Sequence, residues 1–187
     1  MIKKTLAILA GGTSSRMNYI NKALLIYKEK TFIENIINAG KEFDEILIIA
    51  NNKDEYKNLG LNIYPDIYLG NGPLSGIHSA LKNSKNFKVL CIACDMPLVS
   101  KNTLSTLGNS DGDYEVLVPS INNRLQPMCA VYSKSLISKM ENSLLSGENK
   151  LKKFILSTNY KILEDKLVAE DFFNVNTEKE YELLEEI

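Results

Sequence analysis

The chain has 187 residues, 44% hydrophobic and 24% charged, enough to bury one substantial core and too few for two ordinary domains. Its 22 Lys and Arg stand against 23 Asp and Glu, a formal net charge of -1 that excludes the broad positive field of a non-specific nucleic-acid binder. Three cysteines, an odd number, are too few to staple a secreted domain, and no apolar run approaches the roughly 18 residues of a membrane span, so residues 1–187 are expected to form one soluble, cytoplasmic domain with no nucleic-acid or membrane partner.

In chain order, the β-branched apolar run Thr5–Ala10 reads as a buried strand. It stops at Gly11-Gly12, too early for the apolar core of a signal peptide. Gly11-Gly12-Thr13-Ser14-Ser15-Arg16-Met17 and Lys22 come next. Two glycines let backbone N–H groups approach a phosphate, three hydroxyls add donors, and Arg16 with Lys22 supplies positive charge, which together suit a triphosphate. The spacing is neither Walker A nor G-x-G-x-x-G, which disfavours a P-loop NTPase and an ordinary NAD enzyme.

Thr31 and Glu34 form a capping box before a helix with Phe32, Ile33, Ile36 and Ile37 on one stripe and Gly40 at its end. Further strands are expected at Ile46–Ala50, Leu61–Tyr64, Val89–Ala93 and Glu115–Val118, with helices over Leu74–Leu81 and from Ser100 across Thr103–Leu107. Strands alternating with helices imply right-handed crossovers and a mainly parallel sheet covered on both faces, a Rossmann-like α/β domain. Glu115–Val118 and Met128–Tyr132 flank Asn122-Asn123-Arg124 and read as two strands meeting through a turn or an insertion. Thr177 and Glu180 form a second capping box before a last helix with Tyr181, Leu184 and Ile187 on one side.

Between these elements, Asp66–Ile77 carries Gly70, Gly72, Pro73 and Gly76 and reads as a shaped loop entering a helix, with backbone groups at Gly72 and Leu74 free to meet a nucleobase. Asp95 comes after a buried strand, where a carboxylate suits Mg²⁺; the structural alternative is a cap on the helix near Ser100. Cys91-x-x-Cys94 has redox or zinc spacing but no second pair, so these two and Cys129 read as small buried hydrophobes. His78 is expected as a partly exposed helix residue.

Leu9-Ala10-Gly11-Gly12-x-Ser14-x-Arg16-Met17-x4-Lys22 resembles the signature loop of the molybdenum cofactor guanylyltransferases, of the nucleotidyltransferase superfamily with its nucleotide-diphospho-sugar transferase type of fold. Pro65-Asp66 ahead of Gly72-Pro73-Leu74-Ser75-Gly76-Ile77, then Ala93-Cys94-Asp95-Met96-Pro97, Gln126-Pro127 with Ala130-Val131-Tyr132, and Phe173-Asn174-Val175-Asn176-Thr177 match in the family's order. Asn18 replaces the usual Gly and Asn21 a frequent Asp; Asn tolerates positive φ, and losing a carboxylate beside Lys22 does not oppose triphosphate binding.

The resemblance implies transfer of GMP from GTP to molybdopterin, with Mg²⁺ as cofactor and carrier or insertion proteins of the molybdenum cofactor as further partners. It assigns catalysis to Lys22, Arg16 and Asp95. Nucleotide contacts fall on Leu9, Ala10, Gly11, Gly12, Lys22 and Asn51, then on Asp66, Gly72, Pro73, Leu74 and Asp95. Asn52 is an equal candidate beside Asn51. The metal falls to Asp95 and Asn176, with Asn174 the alternative; Asn176 precedes a helix cap and has a purely local reading as well. Gln126, Asn123, Arg124 and Lys150–Lys153 are candidates for the acceptor phosphate, although the lysine run also reads as a solvated helix face. The rival functions are a cytidylyltransferase of the same superfamily, whose loop typically reads Leu-Ala-Ala-Gly, acting on molybdopterin or on a sugar or polyol phosphate, and a non-catalytic nucleotide-binding protein.

Overall fold

A computed structural model describes residues 1–11 and 21–186, so Gly12, Arg16 and Asn18 of the glycine loop, and Ile187, lie outside the described residues. Strand β1 (Ile2–Leu9) is buried on both faces: Leu6 and Ile8 enter one apolar cluster, Ala7 and Leu9 the other. After a short hairpin, β2 (Ile26–Tyr27) and β3 (Lys30–Thr31), the predicted capping box opens α1 (Phe32–Ala39). Gly40 ends that helix at φ -91, so no left-handed turn requires it. It is glycine because a Cβ there would stand 2.1 Å from Leu6 Cδ2. β4 (Phe43–Ile49) and β5 (Asn62–Tyr64) are succeeded by α2 (Gly72–Asn83), which begins two residues before the expected Leu74 with Pro73 in its first turn.

β6 (Lys88–Ala93), α3 (Lys101–Asn109), β7 (Val116–Ile121), β8 (Arg124–Leu125) and β9 (Cys129–Ser133) come next; α4 (Ile137–Leu145), α5 (Leu151–Leu156), β10 (Tyr160–Leu163) and α6 (Glu178–Glu185) complete the chain. The sheet runs β10-β7-β9-β6-β1-β4-β5, with β8 on β7. β1 pairs in parallel with β4 and β6, β4 with β5, and β7 with β10, while β9 lies antiparallel to both β6 and β7. The α/β class with a mainly parallel sheet is therefore as expected, and the strands expected around Asn122-Asn123 are β7 and β9 with the β8 hairpin inserted between them. Asn122 and Asn123 turn that hairpin at φ 51 and φ 60, a geometry asparagine accepts at low cost.

β7 runs through Pro119, beyond the expected end at Val118. Its pairs with β9 end at Leu117, so Pro119 sits where that neighbour asks for no N–H. Ile33, Ile36, Leu104, Leu107 and Phe172 cover one face of the sheet; Leu74, Ile77, Met140, Leu144 and Phe154 cover the other. Among the described residues no helix is long and apolar enough to cross a membrane.

The segment before α6 is fastened to the start of α3. Buried Asp171 accepts the Ser100 N–H at 3.0 Å and the Ser100 hydroxyl, which itself caps Thr103 N–H at 3.2 Å. The cap predicted at Ser100 is thus completed by a carboxylate 71 residues away, and Asp95 takes no part in it. Removing that acceptor leaves a buried helix start unsatisfied, a cost of about 2 kcal/mol. Asp171→Ala is therefore expected to lower the melting temperature by about 4–8 °C for a chain of this length, measured by thermal circular dichroism; an unchanged melting point would contradict the clasp.

Candidate active site

In an open parallel sheet the ligand edge is formed by the carboxyl ends of the strands. Here β1, β4, β5 and β6 end together, and residues just beyond their ends enter one cleft of about 540 Å³: Gly11 after β1, Asn51 after β4, Asp66 after β5, Cys94 and Asp95 after β6. Leu9, Lys22, Gly72, Pro73 and Met128 line it too. Of the residues predicted to meet a nucleotide, Ala10 and Leu74 do not line the cleft. Ala10 is buried, with its N–H on the Ile49 carbonyl at 2.8 Å, and Leu74 is fully buried beneath the start of α2.

Asn51 and Asn52, indistinguishable by spacing, separate in the structure. Asn51 clasps Asp66, taking its N–H on Oδ1 at 3.0 Å and offering Nδ2 to its Oδ2 at 3.4 Å. Asn52 instead turns outward and caps the 3₁₀ turn Lys53–Glu55. Asp66 Oδ1 is buried with no partner among the described residues, and burial raises its carboxyl above the usual range against the pull of Asn51. A Cβ on Gly11 would stand 3.4 Å from Asp66 Oδ2 and one on Gly76 3.6 Å from Oδ1, so a side chain at either position would pack directly against this carboxylate. The first turn of α2, opened by Gly72 at φ 64, faces the same space with the free N–H groups of a helix N-terminus.

The opposite wall is charged. Lys22 begins a 3₁₀ turn capped by Asn21, and its Nζ lies 2.6 Å from Asn176 Oδ1 and 3.6 Å from Asp95 Oδ2. Asp95 is largely buried; burial raises its carboxyl, Lys22 opposes that, and Oδ1 has no partner among the described residues. Asn174, the alternative to Asn176, spends its amide on the Phe172 carbonyl at 2.9 Å. Among the described residues no three His, Cys, Asp or Glu side chains gather as a closed metal site. A carboxylate with one oxygen unpartnered, and a neutral amide oxygen gathered by the same lysine, are donors of the kind that suit a hard divalent ion keeping water and phosphate ligands.

His78 is buried, not partly exposed: its Nε2 meets Glu141 at 3.1 Å and its ring packs edge-on to Tyr68 at 5.2 Å, which props the loop before α2. Cys94 lies just past β6; the three thiols are free, with burial pushing Cys94 and Cys129 up to about 12. Lys152 and Lys153 are exposed, Lys153 pairing with Glu148. The sequence reading missed Tyr56. Its buried hydroxyl donates to the Ala10 carbonyl at 3.4 Å and accepts from Asn21 Nδ2 at 2.8 Å, tying together the two ends of the glycine loop; a tyrosine in a polar stretch carries no signal of that task.

A glycine-lined helix start, a buried carboxylate at the end of a central strand and a lysine across the cleft define a nucleotidyltransferase of Rossmann-like α/β fold. Known proteins agree. The MobA-like NTP transferase domain matches residues 6–162. A probable molybdenum cofactor guanylyltransferase of Clostridium perfringens is 50% identical, over 97% of this chain and 96% of its own; one from Carboxydothermus hydrogenoformans is 37% identical, over 96% and 94%. The crystal structure of molybdopterin-guanine dinucleotide biosynthesis protein A from Archaeoglobus fulgidus superposes with a TM-score of 0.82 at 24% identity, covering 97% of each chain. The chain belongs to the MobA-like NTP transferase family, whose members generally need a divalent metal ion.

The raised carboxyl of Asp66 carries a sign. Its folded-state value lies above the ordinary 3.8, so ionisation opposes folding, and stability is lost as pH rises through the folded value. Asp66→Asn is expected to melt higher than the wild type at pH 7 and to show no advantage below about pH 3.8, where the carboxyl is protonated in both states. Melting curves from pH 3 to 8 test this; a variant less stable than wild type at neutral pH would contradict it.

Proposed function

We propose that this chain, residues 1–187 acting as one domain, transfers GMP from GTP to molybdopterin, forming the guanine dinucleotide and releasing pyrophosphate. The observation that carries the reading is the cleft, with donors and a carboxylate with one unpartnered oxygen on one wall and Lys22 with Asp95 on the other. The names of relatives at 50% and 37% identity over nearly the whole chain supply guanine and molybdopterin.

The terminal phosphate oxygen of the acceptor attacks the α-phosphorus of GTP. A new P–O bond forms, the bond from that phosphorus to the α–β bridging oxygen breaks, and pyrophosphate leaves with the electron pair. No covalent enzyme intermediate is needed, so the work falls to positioning and charge. The α2 N-terminus, Gly11 and the Asn51–Asp66 clasp hold the nucleoside. Asp66 Oδ1 accepts from it, since that oxygen has no partner among the described residues. Lys22 meets the triphosphate and offsets the charge that grows on the leaving pyrophosphate; Arg16, outside the described residues, is assigned to the same phosphates. Asp95 and Asn176 would hold Mg²⁺, which when bound would supply Lewis-acid stabilisation at phosphate oxygens. The β8 hairpin, with Asn123, Arg124 and Gln126, is the candidate side for the acceptor. Free thiols fit work in a reducing cytoplasm, with carrier or insertion proteins receiving the product.

Incubation of the protein with Mg²⁺, molybdopterin and either GTP or CTP tests the function: pyrophosphate release with GTP is expected, release with CTP alone would make the enzyme a cytidylyltransferase, and GTP binding without release would make it a non-catalytic nucleotide binder. Asp95→Asn keeps the size and loses the charge, so the fold is expected to survive while turnover falls by about 10²-fold or more. Lys22→Ala is expected to lower kcat by about 10²–10³-fold and GTP affinity by less, because the lysine acts most strongly where charge develops. Steady-state kinetics beside calorimetric GTP binding separate the two effects; an unchanged kcat for Lys22→Ala would remove it from the triphosphate.

A further inference from the structure

The sequence Thr-x-x-Glu opens two helices, and the two capping boxes differ. At α1 the box closes on the cap residue: the Glu34 carboxylate accepts the Thr31 N–H at 2.8 Å, and Thr31 Oγ1 accepts the Glu34 N–H at 3.4 Å. At α6 Thr177 Oγ1 likewise accepts the Glu180 N–H, at 3.2 Å. The Glu180 carboxylate accepts the Thr177 hydroxyl at 3.0 Å, as Glu34 accepts that of Thr31 at 2.6 Å, but the backbone N–H it takes lies one residue further back, that of Asn176 at 2.8 Å. A helix cap needs only the first arrangement.

Asn176 is the residue whose Oδ1 meets Lys22, and its neighbour Val175 gives its N–H to the Asp95 carbonyl at 2.9 Å. Residues 175 and 176 are thus held from two sides, by the Asp95 backbone and by the Glu180 side chain.

We propose that Glu180 is a positioning residue for the divalent-cation site, its carboxylate fixing the Asn176 backbone so that Asn176 Oδ1 stays beside Lys22 and Asp95. The inference rests on the reading of Asp95 and Asn176 as the protein's oxygens for that ion. Glu180 touches neither substrate nor metal; it acts through Asn176, in the manner of outer residues that orient metal ligands.

The test is Mn²⁺ binding to the full-length protein without nucleotide, read from the loss of the free Mn²⁺ electron paramagnetic resonance signal, with thermal unfolding alongside. Asn176→Ala and Glu180→Ala are each expected to weaken Mn²⁺ binding by about 10-fold, and the double variant no further than Asn176→Ala alone, because the two act as a unit. Glu180→Gln keeps an acceptor oxygen for the Asn176 N–H and is expected to bind as wild type; Glu180→Asp keeps the charge, loses the reach and behaves like Glu180→Ala. Glu34→Ala provides the plain cap loss: a lower melting temperature with unchanged Mn²⁺ affinity. If Glu180→Ala melts lower yet binds Mn²⁺ like the wild type, or if its effect adds to that of Asn176→Ala, the proposal is overturned while the metal reading stands. If Asp95→Asn and Asn176→Ala both leave Mn²⁺ binding unchanged, the metal reading falls and the positioning role falls with it.

Discussion

A carboxylate held in the dry end of a parallel sheet, with one oxygen facing a lysine and the other without a partner, is the constraint around which this molecule is arranged. Burial alone penalises the charge on Asp95. The fold answers with Lys22 on one oxygen and leaves Oδ1 without a partner among the described residues, which costs stability in the free protein that a positive ligand would offset. Asp66 repeats the pattern across the cleft: half-buried, its carboxyl raised, one oxygen clasped by Asn51 and the other without a partner among the described residues. Two underpaired carboxylates in one cleft make little sense as folding devices and good sense as binding ones.

Rigid supports hold the two groups in place. β1 and β6 are central strands buried on both faces, so the positions just beyond their ends are fixed by the sheet. The C-terminal segment crosses behind Asp95 and is fastened at Asp171, Val175 and Asn176. Tyr56 ties Ala10 to Asn21 at the mouth of the glycine loop. Three of these fastenings are made to backbone atoms, the Ser100 N–H, the Asp95 carbonyl and the Ala10 carbonyl, whose positions the flanking helix and strands fix.

Much of this was legible in the sequence wherever the signal was local. The strand Thr5–Ala10, the capping box at Thr31 and Glu34, the cap at Ser100 and the aspartate after Val89–Ala93 each rest on residues within a few positions of one another. What escaped was long-range or conformational. Ser100 shares its cap with Asp171, Gly40 answers to Leu6, and His78 finds Glu141 across two helices, none of which any short window contains. The α4 helix went unassigned because its buried residues, Met140 and Leu144, stand among two serines and an asparagine of modest helix propensity; α5 showed only its lysine face, being six residues long. Glu180 reads as a cap in the sequence; its reach to Asn176 depends on a backbone turn that sequence does not spell.

The central claim is that Asp95 Oδ1 is the open position that receives the divalent ion serving the triphosphate. Anomalous diffraction from crystals grown with GTP and Mn²⁺ tests it most directly. The account predicts a manganese peak bonded to Asp95, with the triphosphate along the wall that carries Lys22. A manganese ion carried by the triphosphate away from Asp95, with Lys22 still paired to that carboxylate, would contradict it.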